Sequence, residues 1–300
     1  MTRPLLVVYR ALGLGDLLTA VPALRALVTA FPHHRRVLAA PADFAALAEH
    51  VGAVDEVADC VPLAPLPRRL HGADVAVNLH GRGPQSHELL LASRPRRLIA
   101  FGRPPHPVWR PGEHEVARWC RMLAESGVPA DPAALGIAAP RTPPPEMAVD
   151  ATLVHPGAAS AARRWPADRW AAVARAEHDA GRRVAITGSA AERGLAHHVA
   201  RAAGLPDAAV LAGRTDLLGL AAAVAAARCV VCGDTGIAHL ANALGTPSIV
   251  LFGPTPPAEW GPPERDRHVA LWTGRRGDPH ATEPDPGLLE IGVGDVLAAL

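Results

Sequence analysis

Short apolar runs alternate with longer helical segments along this chain, and this alternation constrains the fold more than any other feature. The apolar runs are about five residues long and rich in β-branched side chains, which indicates strands. The segments between them are rich in alanine and leucine at the spacing of an amphipathic helix. Strands joined by helices pair in parallel, because the helix returns the chain to the starting edge of the sheet. The sequence therefore predicts an α/β protein with parallel sheets.

The predicted elements form two runs, separated by a proline-rich segment at 126–150 that has no sustained period and is typical of a linker. We place the domain boundary within this segment, which gives domains 1–145 and 146–300. In the first run, strands are expected at 5–9, 36–39, 74–79 and 97–101, and helices at 16–30, 42–51, 84–92 and 113–126. In the second, strands are expected at 152–155, 183–187, 210–211, 229–232 and 248–252, and helices at 167–180, 190–203, 217–227 and 235–244. A loop is expected over 273–286, and a short helix over 290–300 with Asp295 in its first turn.

Composition and charge exclude several classes of protein. Hydrophobic residues make up 49% of the chain and charged residues 20%, which excludes general disorder. The formal net charge is +1, so no global basic field favours nucleic-acid binding. No apolar run reaches the ~18 residues of a membrane-spanning helix, and no signal sequence is evident. We expect a cytoplasmic protein, with peripheral membrane contact through arginine-rich loops left open; the sequence does not indicate an oligomeric state.

The cysteines are expected to be core residues. Two of the four, Cys229 and Cys232, form a C-x-x-C spacing, but both intervening residues are valines within an apparent buried strand. No second C-x-x-C or nearby C-x-x-H completes a metal site. The sequence therefore predicts no metal site at these cysteines.

Three strand-to-turn segments in the second domain carry groups that suit a nucleotide. In 229-CVVCGDTGIAHLANALGTPSIVLFGPT-255 a strand leads into a glycine turn and a helix, where open backbone N–H groups can bind phosphate; Asp234 or Thr235 capping the helix is the competing interpretation. In 153-LVHPGAASAARRWPADRW-170, Arg163 and Arg164 can grip a diphosphate, or can be a solvated pair. In 186-ITGSAAERG-194, Glu192 can accept from ribose hydroxyls, or can serve only the helix dipole.

The stretch 10-RALGLGDLLTAVPAL-24 is an incomplete dinucleotide-binding motif. It has Leu18 where that motif has a third glycine, and its acid, Asp16, lies inside the turn. The glycines are expected to allow a tight turn. A helix N-terminus favours an ionised carboxylate, so the position of Asp16 predicts a lowered pKa.

These four segments, taken in order, resemble glycosyltransferase family 9, the heptosyltransferase-like enzymes. The most specific part is D-T-G-x-x-H-L-A-x-A-L-G-x-P followed by F-G-P-T, and 77-VNLHGRGPQSHELLLAS-93 adds a weaker likeness to the strand, loop and helix that face the family's cleft. The resemblance implies a GT-B fold, with two Rossmann-like domains facing across a cleft. Domain 1–145 would bind the acceptor and domain 146–300 the donor, with the last helix packing back toward the first domain. The reaction implied is inverting, metal-independent sugar transfer, often of heptose from an ADP-linked donor, to a saccharide hydroxyl without a cofactor.

The resemblance also implies residue roles. Asp16 falls on the family's catalytic base, and Arg163 on its phosphate-binding lysine. The donor diphosphate would contact Arg163, Asp234, Thr235, Gly236 and His239; the nucleoside would contact Gly188, Ser189 and Glu192; the acceptor or cleft loops would include Gly13, Gly15, His80, Arg82 and Gln85.

Other functions stay open from the sequence. A GT-B-like nucleotide-sugar epimerase or a catalytically inactive nucleotide-sugar-binding protein would share the two-domain architecture. A dehydrogenase would depend on the opening glycines alone.

Overall fold

The computed structural model describes residues 3–103, 105–263 and 266–300. The chain divides into two compact units, Met1–Leu135 and Gly136–Leu300. The division falls inside the proline-rich segment 126–150, ahead of the boundary at 145/146 that the sequence suggested. The predicted class is confirmed, because each unit is an α/β structure around its own parallel sheet.

The sheet of the first unit has five strands in the order β3-β2-β1-β4-β5. The strands are β1 (Leu5–Tyr9), β2 (Arg35–Ala40), β3 (Glu56–Asp59), β4 (Val75–Asn78) and β5 (Arg97–Ile99). Every pair in this sheet is parallel, with Leu5 opposite Arg35 and Leu6 opposite Val75. The helices are α1 (Leu14–Thr19), α2 (Val21–Ala30), α3 (Ala45–Val51), α4 (Gln85–Ala92) and α5 (Glu115–Glu125).

The sheet of the second unit has five strands in the order β10-β9-β8-β6-β7, again all parallel. The strands are β6 (Ala151–His155), β7 (Arg183–Ile186), β8 (Cys229–Gly233), β9 (Ser248–Leu251) and β10 (His268–Leu271). The helices are α6 (Ala167–Asp179), α7 (Arg193–Ala202), α8 (Leu217–Ala226), α9 (Gly236–Leu244), α10 (Pro257–Trp260), α11 (Pro286–Glu290) and α12 (Val293–Ala298). All residues of β6 and β8 are buried, which explains the continuous apolar sequence of β8, while β6 also buries Thr152 and His155.

The structure corrects several predicted elements. The single helix expected over 16–30 is two helices, because Pro22 lacks the N–H that a continuous helix needs there. The helix expected over 42–51 begins with a 3-10 turn, Ala42–Phe44. The strand expected at 210–211 is only a parallel bridge between Ile186 and Val210. The sequence analysis missed β3 and β10, which are edge strands of four residues and only partly buried. Polar residues stand at both ends of β3, and the apolar run of β10 is only three residues long.

The C-terminal segment packs on α6. Trp165 lies just before α6, and its Nε1 donates to the Ile291 backbone oxygen at 3.0 Å, while Ile291 and Val296 are buried in the core of the second unit. The Asp295 carboxylate accepts from the Gly292 N–H at 2.8 Å, which confirms the predicted place of Asp295 in the first turn, although the helix begins at Val293 and not at 290. An approach of this helix to the first unit stays a prediction.

The cysteines are buried and free, as expected. Burial raises the pKa of Cys120 to about 12 and that of Cys229 to about 11. Within the described ranges, no helix is both long and apolar enough to cross a membrane.

Candidate active site

Asp16 follows the carboxyl end of β1 and lies in the first turn of α1. The helix begins after Gly13, and Asp16 occupies its third position. The Asp16 Oδ2 accepts a hydrogen bond from the Gly13 backbone N–H at 3.1 Å, which satisfies one donor that a helix N-terminus leaves open. The side chain is 25% exposed, so a ligand can still reach the carboxylate.

Arg10 holds the other oxygen of this carboxylate. Its Nη2 donates to Asp16 Oδ1 at 3.1 Å and also to Glu115 Oε1 at 3.0 Å. The side chain of Arg10 is 1% exposed, and that of Glu115 is 6% exposed. One buried guanidinium therefore joins two carboxylates, one of which is accessible.

The pKa of Asp16 is raised, so the lowered pKa expected from its helix position is wrong. Burial raises the pKa of Asp16, and the charge of Glu115 adds to the rise, while Arg10 and the Gly13 N–H oppose it. Desolvation outweighs the helix N-terminus because most of the side chain is out of water and a second carboxylate shares the same arginine. The raised pKa makes Asp16 a stronger base than an exposed aspartate.

His80 lies just after β4 and is linked to the same arginine. Arg10 Nη1 donates to the backbone oxygen of Leu79. The His80 ring stacks on Tyr9, with centroids 4.5 Å apart and planes 19° apart. Burial and the Arg10 charge lower the pKa of His80 to about 4, so its imidazole is neutral at physiological pH. The structure thus brings His80 and Asp16 together around Arg10.

The other predicted acceptor residues follow β1 and β4: Gly13 and Arg82 lie in the connecting segments, and Gly15 and Gln85 lie in the first turns of α1 and α4. Arg82 and Gln85 are exposed. Gly13 has an extended backbone with φ of −81°, and Gly15 is also outside the left-handed region, so the expected need for glycine in a tight turn is wrong. A Cβ at Gly13 would lie 3.4 Å from Asp16 Oδ2, so glycine keeps that oxygen uncovered. Contact of these residues with an acceptor stays a prediction.

The predicted donor residues follow three adjacent strands of the second sheet. Strands β8, β6 and β7 are neighbours in that order and parallel, so their carboxyl ends lie at one edge. Asp234 follows β8, Arg163 follows β6, and Gly188, Ser189 and Glu192 follow β7. This is the edge at which open parallel sheets bind ligands.

Arg163 is joined to the turn after β8. Its Nη1 donates to the Asp234 backbone oxygen at 3.1 Å and lies 3.6 Å from Asp234 Oδ2. Burial raises the pKa of Asp234, and the Arg163 charge opposes the rise. Arg164 instead donates from Nε to the Ala158 backbone oxygen at 2.9 Å. The structure therefore distinguishes the two arginines by their partners, whereas the sequence did not show which of them lies at the turn after β8.

Thr235 and Gly236 form the start of α9. Thr235 is the residue before the helix, and its side chain makes no capping hydrogen bond, so the competing interpretation of this threonine as a side-chain cap is wrong. The first amides of a helix favour anions in general, and contact of Thr235 and Gly236 with the donor diphosphate stays a prediction. His239 is buried in the same helix and makes an edge contact with Trp260, at 5.9 Å between centroids.

Glu192 lies against the loop that follows β6. Its Oε2 accepts from both the backbone N–H and the hydroxyl of Ser189, each at 2.8 Å. A Cβ at Gly157 would lie 2.0 Å from Glu192 Oε1, so this carboxylate occupies space that only glycine leaves open. Burial alone would raise the pKa of Glu192, but the bonds from Ser189 and the Arg164 charge help to lower it. The result is an ionised carboxylate suited to accept from hydroxyl groups.

The sequence analysis did not single out Arg10, Glu115 or Gly157. The sequence could have indicated Arg10, because a charged residue directly after a buried strand needs a partner of opposite charge. That partner, Glu115, lies 105 residues away, so the sequence could not identify it. Among the described residues, no three His, Cys, Asp or Glu side chains are grouped as a metal site; metal independence of the reaction stays a prediction.

Comparison with known proteins agrees with this architecture. The model of glycosyltransferase family 9 (heptosyltransferase) matches residues 90–286. The lipopolysaccharide heptosyltransferase 1 of Pseudomonas aeruginosa is 35% identical over 176 residues, which are 57% of this chain and 46% of that protein. The chain thus spans about half the length of this curated relative.

Two solved structures share the fold. The family 9 glycosyl transferase from Veillonella parvula has a TM-score of 0.75 at 20% identity, and the alignment covers 100% of this chain and 96% of that chain. The ADP-heptose lps heptosyltransferase II of E. coli has a TM-score of 0.76 at 20% identity, covering 99% and 97%. Together with the two parallel sheets, this likeness confirms the predicted GT-B class.

Proposed function

The chain belongs to glycosyltransferase family 9, and we propose on that premise that it transfers a sugar from a nucleoside diphosphate donor to a saccharide hydroxyl. An ADP-linked heptose is the favoured donor, because one similar structure is named for ADP-heptose and the curated relative is a heptosyltransferase. The observation that carries the proposal is Asp16, an accessible carboxylate whose pKa is raised by burial. That is the property of a general base.

Asp16 would remove the proton of the acceptor hydroxyl as its oxygen attacks the anomeric carbon. Each Asp16 oxygen already accepts one hydrogen bond, from Arg10 or from Gly13. A carboxylate oxygen has a second lone pair, so it can take the proton without losing these bonds. Direct attack opposite the leaving group inverts the anomeric centre, which gives the proposed stereochemistry.

The breaking bond joins the anomeric carbon to a diphosphate oxygen, and Arg163 would stabilise the charge that develops there. Its guanidinium suits phosphate oxygens, and the Asp234 contacts hold it in place. The Thr235 hydroxyl and the amide of Gly236 would add hydrogen bonds at the α9 N-terminus. We assign His239 to the same phosphate turn.

The nucleoside would bind at the end of β7. Glu192 would accept from ribose hydroxyls, with Ser189 holding its carboxylate and Gly188 in the same turn. His80, Arg82 and Gln85 would contact the acceptor.

We propose that the reaction needs no metal ion or bound cofactor, because Arg163 and the α9 amides can neutralise the leaving diphosphate. Activity should persist after dialysis against EDTA and should not increase when Mg²⁺ or Mn²⁺ is restored. Loss on chelation with recovery on adding a metal would overturn this part of the proposal.

The test is a donor panel with the purified chain. ADP-, UDP- and GDP-linked sugars are incubated with saccharide acceptors, and mass spectrometry detects the glycoside and the released nucleoside diphosphate. We expect transfer from an ADP-sugar, and Asp16→Asn should abolish it while Asp295→Asn, which changes a helix cap, should retain it. An epimerised sugar without acceptor, binding without turnover, or a response to nicotinamide cofactors alone would each overturn the proposal.

A further inference from the structure

Arg10 is shared between two carboxylates that differ in exposure. Its Nη2 bonds to Asp16 Oδ1 and to Glu115 Oε1, at 3.1 and 3.0 Å, so these two oxygens lie no more than about 6 Å apart. Glu115 is buried and belongs to α5. Nothing in the reaction proposed above uses Glu115, although it is an ionisable side chain beside the base.

Arg10 also contacts α1, α5 and the residue that follows β4. Its Nε donates to the Asp16 backbone oxygen, Nη1 to the Leu79 oxygen, and Nη2 to the Thr19 hydroxyl at 3.2 Å. The guanidinium lies over the Trp119 ring at 4.9 Å. These contacts join the ends of β1 and β4 to α1 and α5, so the planar guanidinium group of Arg10 is held in one orientation.

Glu115 is fixed in turn from its own helix. Trp119 Nε1 donates to Glu115 Oε1 at 2.8 Å, and Arg118 donates from Nη1 to Glu115 Oε2. The Arg118 guanidinium lies 4.1 Å from the Trp109 ring centroid. Both oxygens of Glu115 are therefore bonded, which keeps a buried carboxylate in place.

We propose that Arg10 and Glu115 are positioning residues for Asp16: Arg10 fixes the orientation of the carboxylate, and Glu115 offsets the Arg10 charge so that Asp16 remains able to take a proton. The proposal rests on the function of Asp16 proposed above. A single arginine beside an aspartate stabilises the ionised form and weakens it as a base. A second carboxylate on the same arginine opposes that effect.

The charged and titratable groups that face Asp16 give the sign of the effect. Arg10 and the Gly13 N–H favour its ionised form, and Glu115 disfavours it. His80 faces Arg10, and it is neutral because its pKa is lowered to about 4. Removal of the Glu115 charge should therefore lower the pH midpoint of Asp16, because the Arg10 charge then acts on Asp16 without an opposing carboxylate.

Two substitutions should move the pH profile in opposite directions. Glu115→Gln should shift the acid limb of kcat/KM to lower pH and reduce the plateau, because Asp16 becomes a weaker base. Arg10→Met should shift the limb to higher pH. Arg10→Lys keeps the charge without the fork, so it should leave the midpoint near that of the wild type and lower kcat. A purely structural role would lower activity without these opposite shifts.

The matched control is Glu177→Gln in the second unit. Glu177 is also a buried glutamate shared by two arginines, Arg182 and Arg228. Its substitution should lower the melting temperature about as much as Glu115→Gln does, without moving the Asp16 midpoint. If Glu115→Gln fails to fold, Arg10→Lys and Arg10→Met carry the test.

Carbon-13 NMR of aspartate carboxyl groups, with the Asp16 signal assigned from Asp16→Asn, measures the midpoint without turnover. Opposite midpoint shifts in the Glu115 and Arg10 variants would support the positioning roles even if no donor is turned over, in which case the proposed function alone fails. Unchanged midpoints, or shifts in the same direction, would overturn the positioning roles even if transfer is active.

Discussion

Replacing Arg163 with methionine tests the donor half of the mechanism most directly. Methionine keeps much of the side-chain volume and removes the charge that we assign to the leaving diphosphate. Loss of one group that stabilises developing charge typically lowers kcat by about 10²- to 10³-fold, or about 3 kcal/mol. The same change leaves Asp234, with 8% of its side chain exposed, without its cation.

The second effect must be separated from the first. Breaking a buried ion pair costs about 3 kcal/mol of stability. Arg163 is 28% exposed, and the pKa of Asp234 is already raised by burial, so protonation of Asp234 will offset part of that loss. At about 2–4 °C per kcal/mol, Arg163→Met should melt at least several degrees below the wild type. Adding Asp234→Asn should restore much of that stability but none of the lost kcat.

The assay is steady-state release of nucleoside diphosphate, with melting temperatures measured in parallel. Arg164→Met is the matched control, because Arg164 donates to the Ala158 oxygen and does not join the turn after β8. It should retain kcat within about tenfold, and Arg163→Lys should retain more activity than Arg163→Met. The reasoning is refuted if Arg163→Met changes only KM, if Asp234→Asn restores its kcat, or if Arg164→Met has the larger kcat defect.

Three further predictions follow from the same contacts. Because burial raises the pKa of Asp16 and the base must be ionised, kcat/KM should fall with decreasing pH earlier than for an exposed aspartate; a limb at or below that of a free aspartate contradicts this. Gly157→Ala should displace the Glu192 carboxylate and raise the Kd for the nucleoside diphosphate at least about tenfold. Gly194→Ala, where a Cβ meets nothing within 4 Å, should not, and isothermal titration with the nucleoside diphosphate checks both. The pKa of Glu177 is lowered in the folded protein by its bonds to Arg182 and neighbouring groups against the effect of burial, so its stabilisation is present above the unfolded pKa and is lost as pH falls through the folded pKa. Wild-type thermal stability should therefore decrease more steeply than that of Glu177→Gln on acidification, and equal slopes would argue against this role.

Much of the fold could be predicted because local sequence carries its signal. A fully buried parallel strand such as β8 appears as a continuous apolar run, since both faces of the sheet are covered. The edge strands β3 and β10 were missed because each has only four residues and is partly exposed, so its apolar signal is short. The short strand expected at 210–211 is a single bridge, because apolar character shows burial but does not show pairing.

The candidate site was predictable where a motif lies within one turn. Asp16, Arg163 and the Asp234 turn follow strand ends that the sequence identified. Arg10 depends on its contact with Glu115, and Gly157 on its contact with Glu192. Both partners are distant along the chain, so no local motif indicated these roles.

The sequence by itself determined the alternation of strands and helices, the parallel sheets, and the order of the turns that carry Asp16, Arg163 and Asp234. Only the tertiary structure decided the proton affinity of Asp16. The sequence places it at a helix N-terminus, which lowers a pKa, whereas folding buries it and brings Glu115 onto the same arginine, which raises the pKa. Desolvation and charge depend on which groups meet in space. The glycine motif near the N-terminus therefore identifies Asp16 as a candidate base but does not determine its pKa.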